Sequence, residues 1–382
     1  MAELPNWVAN NTVNKHRSAN RTAALLAVLK SQPRLVSAFS VHRKRRLLRQ
    51  LAVPLLGLFL LPSSSERADS LGKKLARFER SEPHMGTLVR IVVYASSQEA
   101  ASSGIRQAFD RVREIDQSLS DYRADSELNR LSQQAGGPPA KVGLDLFQVL
   151  SASQKLAMRS QGAFDVTAGP LTLLWRRARR QRTLPESDRV AAALSVTGFR
   201  LLALDAGRQT ARLAKTGMRL DLGGIAKGYS ADEALKALRR AGLDRALVAV
   251  GGDVALSNPP PGKKGWTIDI APLDASVAKQ PPLLLQNTAV STSGDAEQFF
   301  ELGGVRYSHI IDPRTGQALT GWRSVTVVAT RGIDSDSLAT AVSVMPPTQG
   351  LKLIDATPSA QALMVIRNDQ GIRAWKSRRW RK

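Results

Sequence analysis

The sequence predicts an α+β fold: one domain of mixed strands and helices over residues 71–382, preceded by an N-terminal extension over residues 1–70. Three observations carry this expectation. Short runs rich in β-branched residues recur along the chain, and segments with apolar residues three and four apart lie between some of them. The two kinds of segment do not alternate in the strict strand–helix–strand order of a parallel sheet.

The first strand expected is Leu88 to Ala95 (LVRIVVYA), rich in Val and Ile. A helix should follow, because Ile105, Phe109, Val112, Ile115 and Leu119 recur at spacings of 4, 3, 3 and 4 and so share one face. A second helix is expected over Leu144 to Ser160, and the polar, basic stretch Arg176 to Arg189 reads as surface. A helix over Ser230 to Ala241, closed by Gly242, leads to a strand over Ala246 to Val250. Pro259, Pro260, Pro261 and Gly262 then break the chain into a loop before a strand over Trp266 to Ile270. Strands around Ala289 to Thr292, Val305 to Ile310 and Val325 to Thr330 precede a helix over Ser335 to Met345. A last pair of strands lies near Leu363 and Ile372.

Composition narrows the chemistry. With 43% hydrophobic residues the chain can bury a core, and with no cysteine it excludes disulfides, thiolate metal sites, cysteine nucleophiles and a lipid anchor on an N-terminal Cys. Any metal must be held by oxygen or imidazole. The net charge is +23, of which +8 falls in residues 1–70. No aromatic-interleaved basic repeat accompanies it, so no specific nucleic-acid partner is expected. An anionic small substrate, or a plain soluble basic surface, accounts for the charge better, and peripheral contact with the inner membrane is a further expectation among partners.

Arg43 to Arg46 is basic, Leu51 to Leu61 (LAVPLLGLFLL) is apolar, and Pro62 to Ser65 is small and polar, the order of a secretory signal. The apolar run is too short for an ordinary membrane span, which needs about 20 residues. Export to the periplasm with removal of the signal is the expectation. The competing reading, a buried helix, is opposed by Pro54 and Gly57.

Several segments carry chemistry, each with a plainer alternative. In Asp221 to Tyr229 (DLGGIAKGY), three glycines and Lys227 lie directly before the expected helix start, where free N–H groups and the helix dipole favour a phosphate. The alternative is a tight turn with a solvated lysine. Asp336 and Thr340 stand four apart on an expected helix, so a carboxylate and a hydroxyl share a face where Mg²⁺ would find hard oxygen ligands. The alternative is an ordinary helix cap. Beyond the N-terminal extension only His84 and His309 are present, and His309 lies on a strand running into Asp312, Pro313, Arg314 and Gly316. Tyr122 and Phe164 are candidate walls of an aromatic ligand site, with Asp165 at its polar edge, or else members of the core.

In sequence order these segments resemble the ApbE family of FAD:protein FMN transferases. The matching stretches are Met85 to Thr87, Ser120 to Asn129, Gly162 to Leu171, Asp221 to Asp232, Val250 to Asp253, Thr292 to Gly294, Tyr307 to Gly316 and Asp336 to Thr340. The resemblance implies an exported α+β enzyme that splits FAD with Mg²⁺, releases AMP, and attaches FMN by a phosphoester to a Thr or Ser of a partner redox protein. It places Met85, Tyr122, Ala163, Phe164, Asp165, Asp221, Lys227, His309 and Ile310 around FAD. It gives the metal to the Gly224 carbonyl, Asp336 and Thr340, and chemistry to His309, Lys227 and Asp336. An FAD pyrophosphatase and a non-catalytic flavin-binding protein are the alternatives.

Overall fold

Thr87–Ala95 carries the β-branched run, and Val89, Ile91 and Val93 are fully buried along one side of it. Its neighbour Ala76–His84 escapes sequence reading because Arg77, Glu79, Arg80 and Glu82 replace apolar alternation with charge. That composition suits an edge strand, which charge protects from pairing with other chains.

The computed structural model describes residues 74–270, 273, 280–294, 298–368 and 371–380. The signal-like run from Arg43 to Ser65 lies outside the described residues, as does all of the first unit, Met1–Arg67. In the second unit, Ala68–Lys382, the strands are β1 (Ala76–His84), β2 (Thr87–Ala95), β3 (Ala140–Lys141), β4 (Leu202–Asp205), β5 (Thr210–Leu213), β6 (Ala246–Val250), β7 (Asp253–Leu256), β8 (Trp266–Ile268), β9 (Leu283–Leu285), β10 (Ala289–Gly294), β11 (Phe299–Leu302), β12 (Val305–Ile311), β13 (Ala318–Thr320), β14 (Trp322–Ala329), β15 (Gln361–Asn368) and β16 (Gly371–Lys376). The helices are α1 (Gln98–Leu119), α2 (Glu127–Gln133), α3 (Leu144–Arg159), α4 (Gly169–Gln181), α5 (Ser187–Ser195), α6 (Ala226–Arg240), α7 (Gly332–Val344) and α8 (Pro347–Asp355).

Eight strands form one antiparallel sheet in the order β1-β2-β6-β7-β10-β14-β15-β16. Three small antiparallel sheets accompany it, among them β11-β12-β13. This is the expected α+β class, with strands and helices mixed and, among the described residues, no parallel crossover unit.

Helices cover one face of the large sheet. Ile105, Phe109 and Val112 of α1 and Ala234 and Leu238 of α6 pack with Val89, Ile91 and Val93. Leu338, Ala341 and Val342 of α7 pack with Val325, Val327 and Met364. Removing each of the Val, Leu, Ile, Phe and Met side chains among these from water stabilises the fold by about 1.5–3 kcal/mol. The residues of opposite parity, Val92, Val328 and Leu363, face a second layer with Trp266, Leu285 and Trp380. The expected period-two alternation therefore has a partner on both sides.

Two helices start earlier than their sequences suggest: α6 at Ala226 rather than Ser230, and α7 at Gly332 rather than Ser335. Gly228, which reads from sequence as a turn residue, and Gly332 belong to helical first turns that cross. A β-carbon on Gly228 would lie 2.0 Å from the Gly332 carbonyl oxygen, so only glycine allows this approach. The basic stretch expected at the surface is also different. Arg176 and Arg179 lie on α4, half-buried, and line the cavity described below. Among the described residues no helix is long and apolar enough to cross a membrane.

Candidate active site

Antiparallel pairing brings two hairpin turns and the facing ends of β10 and β14 to one end of the large sheet. Met85 and Gly86 turn β1 into β2, Gly251 and Gly252 turn β6 into β7, and Gly294 of β10 is paired with Ser324 of β14. A cavity of about 620 Å³ opens there. Met85, Tyr122, Ala163, Phe164, Asp165, Asp221, Gly224, Lys227, His309, Ile310, Asp336 and Thr340 all line it, so every candidate drawn from the sequence reaches one space.

The backbone pays for part of this arrangement. Met85 sits at φ 54°, a left-handed conformation that costs a non-glycine residue about 1–3 kcal/mol and is found preferentially at functional sites. Ala163 and Phe164 are buried in the main core, whereas Tyr122 is 71% exposed and stands over the cavity as an open wall. Asp165 Oδ1 accepts from the Thr167 N–H at 2.8 Å and the Thr167 hydroxyl at 2.7 Å, which fixes the turn after Phe164.

At the crossing of α6 and α7 the electrostatics are concentrated. Lys227 pairs with Asp253, and its Nζ lies 3.8 Å from Asp336 Oδ1. Burial opposes the charge on Lys227, but Asp253 and Asp336 outweigh it and hold the ammonium above its ordinary pKa. Asp336 is pushed up to about 7 by burial, with Asp253 adding to the effect against Lys227 and the Gly228 N–H. Two buried carboxylates against one ammonium leave one carboxylate in surplus, and it is Asp336 that is partly protonated near pH 7 as a result.

That surplus bears on a metal. Thr340 Oγ1 stands so close to Gly224 that a β-carbon there would lie 2.7 Å from it. Asp336, Thr340 and the Gly224 backbone thus offer a carboxylate, a hydroxyl and a peptide oxygen, a donor set that fits Mg²⁺ rather than a softer metal. Among the described residues no cluster of three or more His, Asp or Glu could hold a metal with side chains alone. A Mg²⁺ site of this type draws its remaining ligands from water and substrate phosphate.

His309, on the central strand β12 of the small sheet, supplies the imidazole. Its backbone N–H donates to the Gln298 carbonyl at 3.1 Å, and its Nδ1 lies 3.0 Å from the same oxygen. A carbonyl can only accept, so Nδ1 carries the proton and the lone pair is left on Nε2. The ring is open to solvent through the cavity, yet surrounding protein pushes its pKa down to about 4. Gln298 opposes that shift, and Lys227 and Arg179 reinforce it.

Three contributors were given no role from sequence. Asp253 closes the matching stretch Val250 to Asp253, and its part in the site appears only through its partner Lys227. Arg176, hidden in a basic run, pairs with Asp121 and donates to Asp221 Oδ2 at 2.9 Å, with its Cζ 4.9 Å from the Tyr122 ring centre. Burial and the neighbouring Asp221 push Asp121 upward against the pull of Arg176. The bridge ties the Tyr122 segment to the DLGG turn.

An antiparallel α+β scaffold with a hard-oxygen corner, an ammonium and a neutral imidazole around one cleft defines a class: proteins equipped to act on an anionic, phosphate-bearing ligand. Within that class the family is specific. A sequence model of the ApbE family matches residues 85–364, and the chain belongs to that family. It is 34% identical over 319 residues to the FAD:protein FMN transferase of Treponema pallidum, covering 79% of this chain and 87% of that protein. It is 30% identical over 335 residues to the Vibrio cholerae enzyme of the same name, covering 86% and 97%. Among solved structures, the flavin transferase ApbE from Vibrio cholerae aligns with a TM-score of 0.70 at 29% identity, over 80% of this chain and 98% of that one. The apo Pseudomonas stutzeri flavinyl transferase ApbE gives 0.70 at 29%, over 80% and 95%.

His309 is expected to titrate near 4 in the free protein, well below its ordinary value of 6.5. The sign follows from linkage: the folded state disfavours the imidazolium, so His309 makes folding stability fall as pH drops from 6.5 toward 4, with no contribution to the slope above or below. NMR of the His309 ring protons against pH checks the midpoint, and a midpoint at or above 6.5 would contradict it.

Proposed function

We propose that this protein is a Mg²⁺-dependent FAD:protein FMN transferase acting in the periplasm on a Thr or Ser of a partner redox protein. The observation that carries the reading is the meeting of Lys227, His309, Asp336, Thr340 and Gly224 in one cavity whose other walls include Tyr122 and Phe164. Membership of the ApbE family supports it.

In the reaction the acceptor hydroxyl attacks the FMN phosphorus of FAD, a new P–O bond forms, the pyrophosphate P–O bond breaks, and AMP leaves. Asp336, Thr340 and the Gly224 carbonyl would hold Mg²⁺, which when bound neutralises pyrophosphate charge. Lys227 supplies a second positive charge, fixed in place by Asp253. His309 Nε2 takes the proton of the attacking hydroxyl while Gln298 fixes the ring. A ring near pKa 4 is a weak base, but the approach of an anionic pyrophosphate raises it toward the working range. Tyr122 and Phe164 would supply aromatic walls for the flavin, with Met85, Ala163, Asp165, Asp221 and Ile310 lining the same cavity. The signal-like order of residues 43–65 supports export.

Purified protein incubated with FAD, Mg²⁺ and an acceptor should yield a fluorescent acceptor band in a denaturing gel, with AMP in equal amount. AMP without covalent flavin would make the protein a pyrophosphatase, and neither product would make it a flavin binder. His309→Ala should lower the transfer rate by about 10²–10⁴ while FAD binding by calorimetry stays close to parental. Asp336→Asn should abolish the response of transfer to added Mg²⁺; parental magnesium dependence in that variant would remove Asp336 from the site. N-terminal sequencing of the mature protein from fractionated cells should find a start beyond Leu61, and an intact N-terminus in the cytoplasm would refute export.

A further inference from the structure

Helices α6 and α7 begin against one another, backbone to backbone. A β-carbon on Gly332 would lie 2.3 Å from the Gly228 carbonyl oxygen, the counterpart of the contact at Gly228. Across this crossing two carboxylates run in opposite directions. Asp336, on α7, accepts from the Gly228 N–H in the first turn of α6 at 3.0 Å. Asp232, on α6, accepts from the Gly332 N–H at 2.6 Å with one oxygen and from the Ile333 N–H at 3.0 Å with the other.

Each helix therefore satisfies N–H groups at the start of the other. For α7 the local sequence offers no substitute, because its N-cap residue Arg331 makes no side-chain cap bond and pairs instead with Asp334. A helix start left without partners frays within its first turn. Asp336 lies only one turn beyond Gly332, and Thr340 one turn beyond that.

We propose that Asp232 is a positioning residue for the cation site: its two-point grip on the first turn of α7 sets where the Asp336 carboxylate and the Thr340 hydroxyl stand relative to Gly224. This rests on the reading that those groups hold Mg²⁺. Asp232 touches neither the ion nor the flavin in this role. It holds the helix that carries two of the three ligands, from the same helix α6 that carries Lys227. Partners that orient ligands in this way typically matter about 10–100-fold in metal affinity.

A cap that merely stabilises the fold would lower the unfolding temperature and leave metal affinity alone, so metal affinity is the deciding quantity. Mg²⁺ is titrated calorimetrically into the FAD-saturated full chain, without acceptor, for the parent, Asp232→Asn and Asp232→Glu. Asp232→Asn keeps the size but faces one N–H with an amide donor. It is expected to weaken Mg²⁺ binding by about 10-fold or more. The magnesium concentration for half-maximal transfer should rise in proportion, and FAD affinity measured in chelator should stay parental. A folded Asp232→Asn that binds Mg²⁺ as the parent does overturns the proposal, whatever its unfolding temperature. If Asp232→Asn does not fold, Asp232→Glu decides, with a smaller loss of Mg²⁺ affinity expected and parental affinity overturning the proposal. A parent that binds no Mg²⁺ overturns the underlying reading of Asp336 and Thr340 as well, and is distinguished by failing before any variant is compared.

Discussion

Lys227 lies between Asp253 and Asp336, and the rest of the structure is arranged around that buried group of charges. The two carboxylates are 3% and 4% exposed, so water screens them little and their repulsion has to be met by protein or ligand charge. The ammonium answers one of them. The other, Asp336, stands beside the close approach of Thr340 to Gly224, which gathers a carboxylate, a hydroxyl and a peptide group into one corner.

Holding such charges in register requires rigid supports from several directions. Asp253 comes from the start of β7, Lys227 from the start of α6 and Asp336 from the second turn of α7, three places joined by an antiparallel sheet and by a glycine-on-glycine helix crossing. His309 reaches the same cavity from the separate small sheet, with its tautomer set by the Gln298 carbonyl. The imidazole thus rests on a different sheet from the charged groups, whereas Lys227, Asp253 and Asp336 are held by one another.

Much of this was legible in the sequence because chemistry at a tight site uses unusual residues in short order. DLGG before Lys227, the Asp336 and Thr340 pair, and a solitary His309 each stood out, and the structure brings all of them to one cavity. What stayed hidden has physical reasons. Strand β1 is charged because it is an edge, and so lacks apolar alternation. The first turns of α6 and α7 contain glycines that a local reading takes as breakers, although a neighbouring backbone is what demands them. Arg176 reads as one more surface arginine, since only the fold reveals Asp121 and Asp221 on either side of it.

The pairing of β2 with β6 also has a consequence for the order of folding. Val93 lies opposite Ala246 and Val89 opposite Val250, so the stretch between the two strands, with helices α1 to α6 and strands β3 to β5, intervenes between immediate neighbours in the sheet. Closing so long a loop is entropically costly and slow. Until β6 docks, helix α1 can already cover the apolar face of β2, but the edge of β2 that faces β6 has no strand to pair with. The cleft, lined by residues from Met85 to Thr340, therefore takes its shape only once segments far apart in the chain have met.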